Sequence, residues 1–257
     1  MPALQWDDAP TPGSPNVAVH VKDNGSNLSI GYTGAVTTPE YLTTREGLHW
    51  DFGKVFTTLA LPQLCRIPAV ALHAAVLGHG RDEAVLLPGS SGAGKSAISI
   101  AALGLGKEVL ASELAFVGGA RIIAGNSQLT IDPRALDAFE FTIPGGARSL
   151  NGRVVIDLPE CSLHHIVRVA FPKVTFSGLR VREITSRRAR MLLFENAVSQ
   201  LGMSQLVAQE THPLGCPPVA EELEIMAQQV VRLSGSECVI VEGRPEEIAA
   251  FVTSGEA

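Results

Sequence analysis

The sequence predicts an α/β protein with a β-rich N-terminal portion. Alternating apolar and polar residues over 17–37 indicate half-buried strands. Residues 84–103 form a short apolar run, a glycine-rich turn and a helical run, which is typical of a strand followed by a helix. Strand and helix patterns then alternate along the chain, as expected for an α/β domain. We therefore predict a disordered tail at 1–16, a β-rich portion at 17–66 and an α/β domain at 67–257.

The β-rich portion begins with a predicted hairpin, because Asn24-Gly25 splits the alternating segment into two strands. A helix is predicted at 52–64, where apolar residues recur at helical spacing before Pro68. Residues 70–77 and 84–87 have the composition of two strands around a polar turn. This arrangement predicts an antiparallel hairpin that leads into the glycine-rich turn.

After the glycine-rich turn, the pattern predicts a helix at 96–103 that is ended by Gly104 and Gly106. The remaining predicted elements continue the α/β alternation. They are strands at 108–114, 153–158, 165–174 and 238–242, a hairpin at 116–131, and helices at 187–201, 220–233 and 245–252.

Composition limits the classes of function. The chain has 257 residues with 46% hydrophobic and 18% charged residues, which is enough to build a full core. The net charge of −6 argues against nucleic acid as the main partner, because phosphate backbones require clustered Lys and Arg. No apolar run has transmembrane length, and the first residues lack the basic and apolar regions of a secretory signal. We therefore expect a cytoplasmic protein without a membrane partner.

The four cysteines fit the same expectation. None occurs in C-x-x-C spacing, so neither a zinc site nor a disulfide framework is predicted. We expect free thiols in a reducing compartment at Cys65, Cys161, Cys216 and Cys238.

Residues 89–96, GSSGAGKS, match the phosphate-binding pattern G-x-x-x-x-G-K-[ST] at every fixed position. Glycines permit backbone conformations that side chains forbid, so successive N–H groups can surround an anion. Lys95 can reach the β- and γ-phosphates, and the Ser96 hydroxyl can bind Mg²⁺. The preceding strand and following helix are the context that the motif requires, which argues against a chance match. We predict that a nucleotide contacts Gly89, Ser90, Ser91, Gly92, Ala93, Gly94, Lys95, Ser96 and Ala97.

Several segments around this motif resemble the HPr kinase/phosphorylase family and its HPr-kinase-like relatives. They are residues 72–74 (LHA), residues 86–99 (LLPGSSGAGKSAIS), Gly106 and residues 109–113 (VLASE). The family shares its fold with phosphoenolpyruvate carboxykinase, so the resemblance implies a P-loop domain with a mixed sheet. A weaker match extends to TSRRARMLLFENAVSQLG, where Arg188 and Glu195 have the spacing of an Arg and a Glu in the family's C-terminal helix.

The resemblance implies an ATP-dependent kinase that transfers the γ-phosphate to a hydroxyl of a protein, peptide or small metabolite. Lys95 would neutralise the phosphates, while Ser96 and Glu113 would bind Mg²⁺. His73 and Arg188 would contact the γ-phosphate and the acceptor. The family also often assembles into symmetric oligomers, so the resemblance implies a homo-oligomer.

Two departures separate this chain from true HPr kinases. Ser112-Glu113 stands where the family has Asp-Asp, and a serine cannot act as the general base at neutral pH. The family's Arg-Gly-Leu-Gly signature is missing, and residues 145–148 (GGAR) are the nearest segment. HPr itself is therefore not the expected acceptor.

Other interpretations of these residues stay open at the sequence level. Asp157 ends an apolar segment like the Mg²⁺-binding Asp of ordinary P-loop NTPases, or it caps a turn before Pro159. Asp132 is a weaker candidate of the same kind. His73 could be a core residue without a chemical role. The basic cluster is either a solvated face or an anion contact, and it consists of Arg180, Arg182, Arg187, Arg188 and Arg190.

Three functions follow from these alternatives. The first is the kinase, which requires Lys95 for transfer. The second is a nucleotide-binding regulatory module without transfer, which the loss of the first acidic residue at Ser112 suggests. The third is an ordinary NTPase, in which Asp157 would matter more than Glu113.

Overall fold

The computed structural model describes residues 18–23, 28–33, 41–43, 68–131, 147–150, 153–159, 164–204, 206–207, 212–213 and 220–254. The chain divides into two compact units, residues 1–62 with 201–217 and residues 63–200 with 218–257. The predicted helix at 52–64, Asp132 and three of the cysteines lie outside the described residues.

The described strands are β1 Ala18–Asp23, β2 Leu28–Thr33, β3 Tyr41–Thr43, β4 Val70–Leu72, β5 Ala74–Gly78, β6 Glu83–Pro88, β7 Val109–Ala111, β8 Ala115–Gly118, β9 Arg121–Gly125, β10 Gln128–Ile131, β11 Arg148–Leu150, β12 Arg153–Asp157, β13 His165–Val174, β14 Arg180–Glu183, β15 Leu206–Val207, β16 His212–Pro213 and β17 Glu237–Gly243. The described helices are α1 Lys95–Gly104, α2 Ser186–Ser204, α3 Ala220–Leu233 and α4 Pro245–Thr253.

In the first unit, β1, β2 and β3 form an antiparallel sheet in that order. The predicted hairpin around Asn24-Gly25 is confirmed, since β1 and β2 pair on either side of it. A two-residue ladder pairs β15 with β16.

The second unit contains a large mixed sheet, which confirms the predicted mixed α/β class. At its centre, β6 is antiparallel to β5 and parallel to β13, and β17 continues the parallel part beyond β13. The predicted hairpin before the glycine-rich turn is therefore confirmed. The prediction of one strand over 70–77 is wrong, because the strand breaks at His73. β4 pairs with β8, whereas β5 pairs with β6 and β7, so the break changes the strand's neighbours.

The core lies on both faces of the central strands. Leu77, Val85 and Leu87 are fully buried and pack in one cluster with residues of α1 and α4, and Val76 and Leu86 on the opposite face are also fully buried. Strands covered on both faces carry near-continuous apolar runs, which explains why the segments around the glycine-rich turn contain so few polar residues. Among the described helices, none is both long and apolar enough to span a bilayer.

Most of the later elements match their predictions within a few residues, including all three helices after residue 186. β14 was not predicted, because all four of its residues are exposed and its sequence, RVRE, has no buried face. The predicted free thiol at Cys238 is confirmed, and burial raises its pKa to about 11, with the negative charge of Glu237 adding to the effect.

Candidate functional site

A loop of residues 89–94, here called the glycine loop, joins the end of β6 to the start of α1. Gly92 and Gly94 have φ of 83° and 93°, a region that favours glycine. A Cβ on Gly94 would also overlap the side chain of Val174 at the end of β13. The first turn of α1 contains no acidic residue, and no side chain caps its N-terminus. The free N–H groups of this turn therefore have no carboxylate of the turn to bind.

Lys95 is buried at the start of α1, and its ammonium lies within the curve of the glycine loop. Its Nζ donates hydrogen bonds to the carbonyl oxygens of Gly89 at 2.8 Å and Ser90 at 3.1 Å. Burial lowers the pKa of Lys95 to about 8, although the negative charge of Glu113 acts in the opposite direction. The lysine therefore keeps a desolvated positive charge beside the loop below that pH.

His73 lies at the break between β4 and β5, and its peptide group is held by a side chain from α2. Asn196 Oδ1 accepts the His73 N–H at 2.9 Å, and Asn196 Nδ2 donates to the His73 carbonyl at 3.2 Å. The same carbonyl accepts the N–H of Gly89 at 3.1 Å. Asn196 thus supplies the hydrogen bonds that a neighbouring strand would make, and it ties the start of the glycine loop to α2.

The His73 side chain pairs with Glu113, which follows β7. The Nε2 atom of His73 lies 3.0 Å from Oε2 of Glu113, and the Glu113 side chain is half exposed while His73 is buried. Partial burial acts to raise the pKa of Glu113, but the hydrogen bond with His73 and the positive charges of His73, Lys95 and Arg153 together lower it. His73 is therefore not an isolated core residue, and Glu113 is a carboxylate surrounded by cations.

Asn126, in the turn after β9, fixes the backbone that carries Glu113. Its Oδ1 accepts the N–H groups of Ser112, Glu113 and Leu114 at 3.0, 2.9 and 3.1 Å. The fully buried Ser112 hydroxyl donates to the carbonyl of Gln128 at 2.9 Å and accepts from Asn126 Nδ2 at 3.1 Å. Ser112 therefore holds the turn against β10, and its hydroxyl is engaged within the fold.

The two remaining candidates lie in different surroundings. Asp157 belongs to the small sheet of β10, β11 and β12, where its Oδ1 accepts from Arg148 at 3.0 Å and Gln128 at 3.1 Å. Arg148 is the last residue of 145–148, the segment nearest to the missing family signature. In this structure Arg148 forms an ion pair with Asp157. Arg188 is exposed in the first turn of α2, eight residues before Asn196, which corresponds to about 12 Å along the helix axis.

Three contributing residues were not predicted. Asn126 and Asn196 act through side-chain contacts with segments distant in the sequence, and Arg153 lies close enough to Glu113 to lower its pKa. Asn196 did leave a signal, because it falls on the same helical stripe as the buried Leu193 and Ala197. A polar residue on an apolar stripe indicates a specific buried partner. No comparable signal marks Asn126 or Arg153.

Two residues near the glycine loop carry oxygens of the kind that bind Mg²⁺ together with a nucleotide. In the part of the chain that the structure describes, no group of three His, Cys, Asp or Glu side chains could hold a metal ion. Mg²⁺ is usually bound by one or two protein oxygens, together with substrate phosphates and water. Ser96, partly exposed in the first turn of α1, and Glu113, half exposed after β7, carry oxygens of this kind.

Comparison with known proteins adds no family assignment: no protein-family model matches the chain, and no curated protein matches it.

Proposed function

We propose that the glycine loop and the first turn of α1 bind ATP with Mg²⁺, and that the protein transfers the γ-phosphate to a hydroxyl acceptor. This is the activity implied by the resemblance to HPr-kinase-like enzymes, with an acceptor other than HPr itself. The observation that carries the proposal is the buried ammonium of Lys95, which is held by the loop's own carbonyls beside the His73–Glu113 pair.

A buried ammonium is costly, and the described residues contain no carboxylate in an ion pair with Lys95. An anionic ligand in the glycine loop would offset that cost, because it would bring negative charge into contact with this lysine. The N–H groups at the start of α1, which directly follows the loop, favour the same charge. A triphosphate supplies both the charge and the multiple oxygen atoms that these donors need.

Transfer requires metal charge, a cation and an acceptor for one proton. Mg²⁺, when bound, would offset the charge of the β- and γ-phosphates, and Ser96 and Glu113 would hold it. Lys95 would neutralise the same phosphates from inside the loop. Arg153, whose charge already acts on Glu113, is better situated than Arg188 to supply a second cation.

The residues of the site can take up the proton that the acceptor hydroxyl loses. The acceptor oxygen forms a bond to the γ-phosphorus while the bond to the β,γ-bridging oxygen breaks, and ADP leaves. The acceptor's proton moves to the imidazole of His73, and the Glu113 carboxylate, with Oε2 3.0 Å from Nε2, stabilises the imidazolium that forms. This pair would replace the carboxylate that the family has at the position of Ser112.

A second candidate function, nucleotide binding without transfer, is favoured by one observation. The Ser112 hydroxyl is buried and engaged with Gln128 and Asn126, so the usual base position carries only a structural contact. In that case the His73–Glu113 pair would serve to hold the turn after β7 beside the loop.

The first experiment measures binding of ATP with Mg²⁺ by calorimetry for the wild type, Lys95→Ala and Lys107→Ala. Lys107 is an exposed lysine after α1, which makes it a matched control for loss of one positive charge. We expect Lys95→Ala to abolish detectable binding, because it removes the only buried cation described in the loop. Lys107→Ala should bind like the wild type. Equal binding by Lys95→Ala and the wild type would overturn the proposal.

Transfer is then tested with γ-labelled ATP and fractions of a lysate from the source organism. Label that moves to one protein or metabolite fraction only with the wild type supports the kinase. Tight ATP binding without any labelled product supports the second candidate. Label released only as free phosphate contradicts both and indicates an NTPase.

A further inference from the structure

The strand order gives the glycine loop two different flanks. On one side of β6 lie β5 and β7, and on the other side lie β13 and β17. His73 precedes β5 and Glu113 follows β7, so both lie at the edge of the sheet from which the glycine loop emerges. The proposed transfer chemistry therefore belongs to the flank of β5 and β7.

The opposite flank is formed by the end of β13, which packs directly on the loop. A Cβ on Gly94 would overlap Val174, and a Cβ on Gly89 would lie 3.8 Å from the ring of Pro172. β13 is parallel to β6, so its last residues and the glycine loop meet at the same edge of the sheet. Residues 175–179, which join β13 to β14, therefore border the loop on this side.

The segment 175–179 is fixed at both ends. The N–H of Thr175 donates to the carbonyl of Gly243 at 2.8 Å, and the hydroxyls of Thr175 and Ser177 lie 2.7 Å apart. At the other end, a Cβ on Gly243 would lie only 3.2 Å from the Cα of Leu179. The segment is thus held against the end of β17.

Phe176 projects from this anchored segment and is 85% exposed, more than any other large apolar residue in the described chain. It follows Val174 by two residues, so their Cα atoms are at most about 7 Å apart. An aromatic side chain this exposed forgoes the stabilisation that burial would give it. Its position beside the glycine loop suggests that a ligand of the loop covers it.

We infer that Phe176 is the platform on which the nucleobase of the bound nucleotide stacks. The inference rests on the proposed function. With the γ-phosphate directed toward His73 and Glu113, the ribose and base leave the glycine loop on the side of β13, where Phe176 stands. Because every base has a π face, stacking on one ring predicts similar affinities for ATP and GTP.

The test compares ATP with inorganic tripolyphosphate, which has the phosphates but no base, both in the presence of Mg²⁺. Affinities are measured by calorimetry for the wild type, Phe176→Ala, Phe176→Trp and Phe194→Ala. Phe194 is a partly exposed phenylalanine on α2 and is the matched control. We expect Phe176→Ala to weaken ATP binding roughly tenfold and to leave tripolyphosphate binding unchanged. Phe176→Trp should restore ATP binding, and Phe194→Ala should have no effect.

Two results for Phe176→Ala, unchanged ATP affinity and equal loss of both ligands, would overturn the inference, and a different result would reject the proposed function. Wild-type affinity for ATP in Phe176→Ala, with tripolyphosphate still bound, rejects the platform and leaves the proposed function intact. An equal loss of ATP and tripolyphosphate binding means that Phe176 supports the loop and not the base. A change in sedimentation of Phe176→Ala, without a change in ATP affinity, means that a second copy of the chain covers the ring. Absence of binding of either ligand by the wild type rejects the proposed function itself.

Discussion

Glu113 follows the short apolar strand β7, Asp157 is the last residue of β12, and the sequence pattern offers both as ligands for Mg²⁺. Their surroundings differ completely. Glu113 is half exposed, pairs with the buried His73 and experiences the charge of Lys95 in the glycine loop. Asp157 is more exposed, and Arg148 and Gln128 already occupy its Oδ1. The distant residues that surround a carboxylate, more than the strand before it, decide what it can bind.

The pKa of both carboxyls is lowered, but for different reasons. At Asp157 the hydrogen bond from Arg148 is the main cause, so the shift reflects one surface ion pair. At Glu113 burial opposes the shift, and a hydrogen bond and three positive charges outweigh it. A lowered pKa alone therefore does not identify a functional carboxylate. The burial that accompanies the cations at Glu113 is the more informative feature.

The largest expected effect tests this contrast directly. Glu113→Gln should reduce kcat for phosphate transfer about 100-fold or more, because it removes the negative charge that would hold Mg²⁺ and stabilise protonated His73. Asp157→Asn should change kcat less than about twofold, since an exposed ion pair contributes little. Steady-state kinetics with γ-labelled ATP and the identified acceptor fraction measures both variants.

The reverse ranking would contradict the role of Glu113 and would favour the ordinary NTPase with Asp157 as its metal ligand. Thermal melts of both variants are the control for folding. Each substitution keeps the size of the side chain, so neither variant should melt far from the wild type.

A smaller effect is expected from the residue that positions Glu113. Asn126→Ala should lower the free energy of unfolding by about 2 kcal/mol, because three backbone N–H groups lose their acceptor. It should also reduce kcat, since the turn that carries Glu113 is no longer fixed. Urea denaturation and kinetics check the two effects. Asn126→Asp keeps an acceptor oxygen and should lose less stability than Asn126→Ala.

The neighbouring Ser127→Ala is the control, because the Ser127 side chain is exposed and makes no described hydrogen bond. A loss of stability in Asn126→Ala with unchanged kcat would mean that the turn after β7 supports the fold and not the chemistry. Conservative rescue of kcat by Asn126→Asp would support the positioning role.

Local sequence patterns predicted the elements far better than the site's supporting contacts. The strand, glycine loop and helix were predictable because chain-adjacent glycines and apolar runs determine them. The break at His73 was not, since its peptide group bonds to Asn196, 123 positions away. Asn126 was equally hidden, because its three acceptor contacts become visible only when β7 and β10 are brought together. Asn126 acts only through contacts across the fold and leaves no local pattern, whereas Asn196 left a signal that shows a buried partner without naming it.

The last prediction concerns the coupling between Lys95 and Glu113. The expected effect of Glu113→Gln is a shift in a pH profile, which is the smallest of the predicted effects. Burial brings the pKa of Lys95 to about 8, and Glu113 counteracts the burial. ATP affinity should be constant below pH 8 and should fall about tenfold for each further pH unit as the lysine loses its proton. The inflection should move to lower pH in Glu113→Gln, since the charge that sustains the Lys95 ammonium is gone, and it should stay in place in Asp157→Asn. Calorimetric titrations between pH 7 and about 9.5 measure the inflection.

Stability should move in the opposite direction from affinity, which identifies Lys95 as the titrating group. The lysine's pKa falls from 10.5 to about 8 on folding, so the unfolded chain binds more protons between those values. Stability of the ligand-free protein should therefore rise with pH across that window, while the same deprotonation weakens ATP binding. Lys95→Met should lose the pH trend in stability. If its stability still followed the wild-type pH profile, another group would be titrating, and the coupling between Lys95 and Glu113 would not explain the pH dependence.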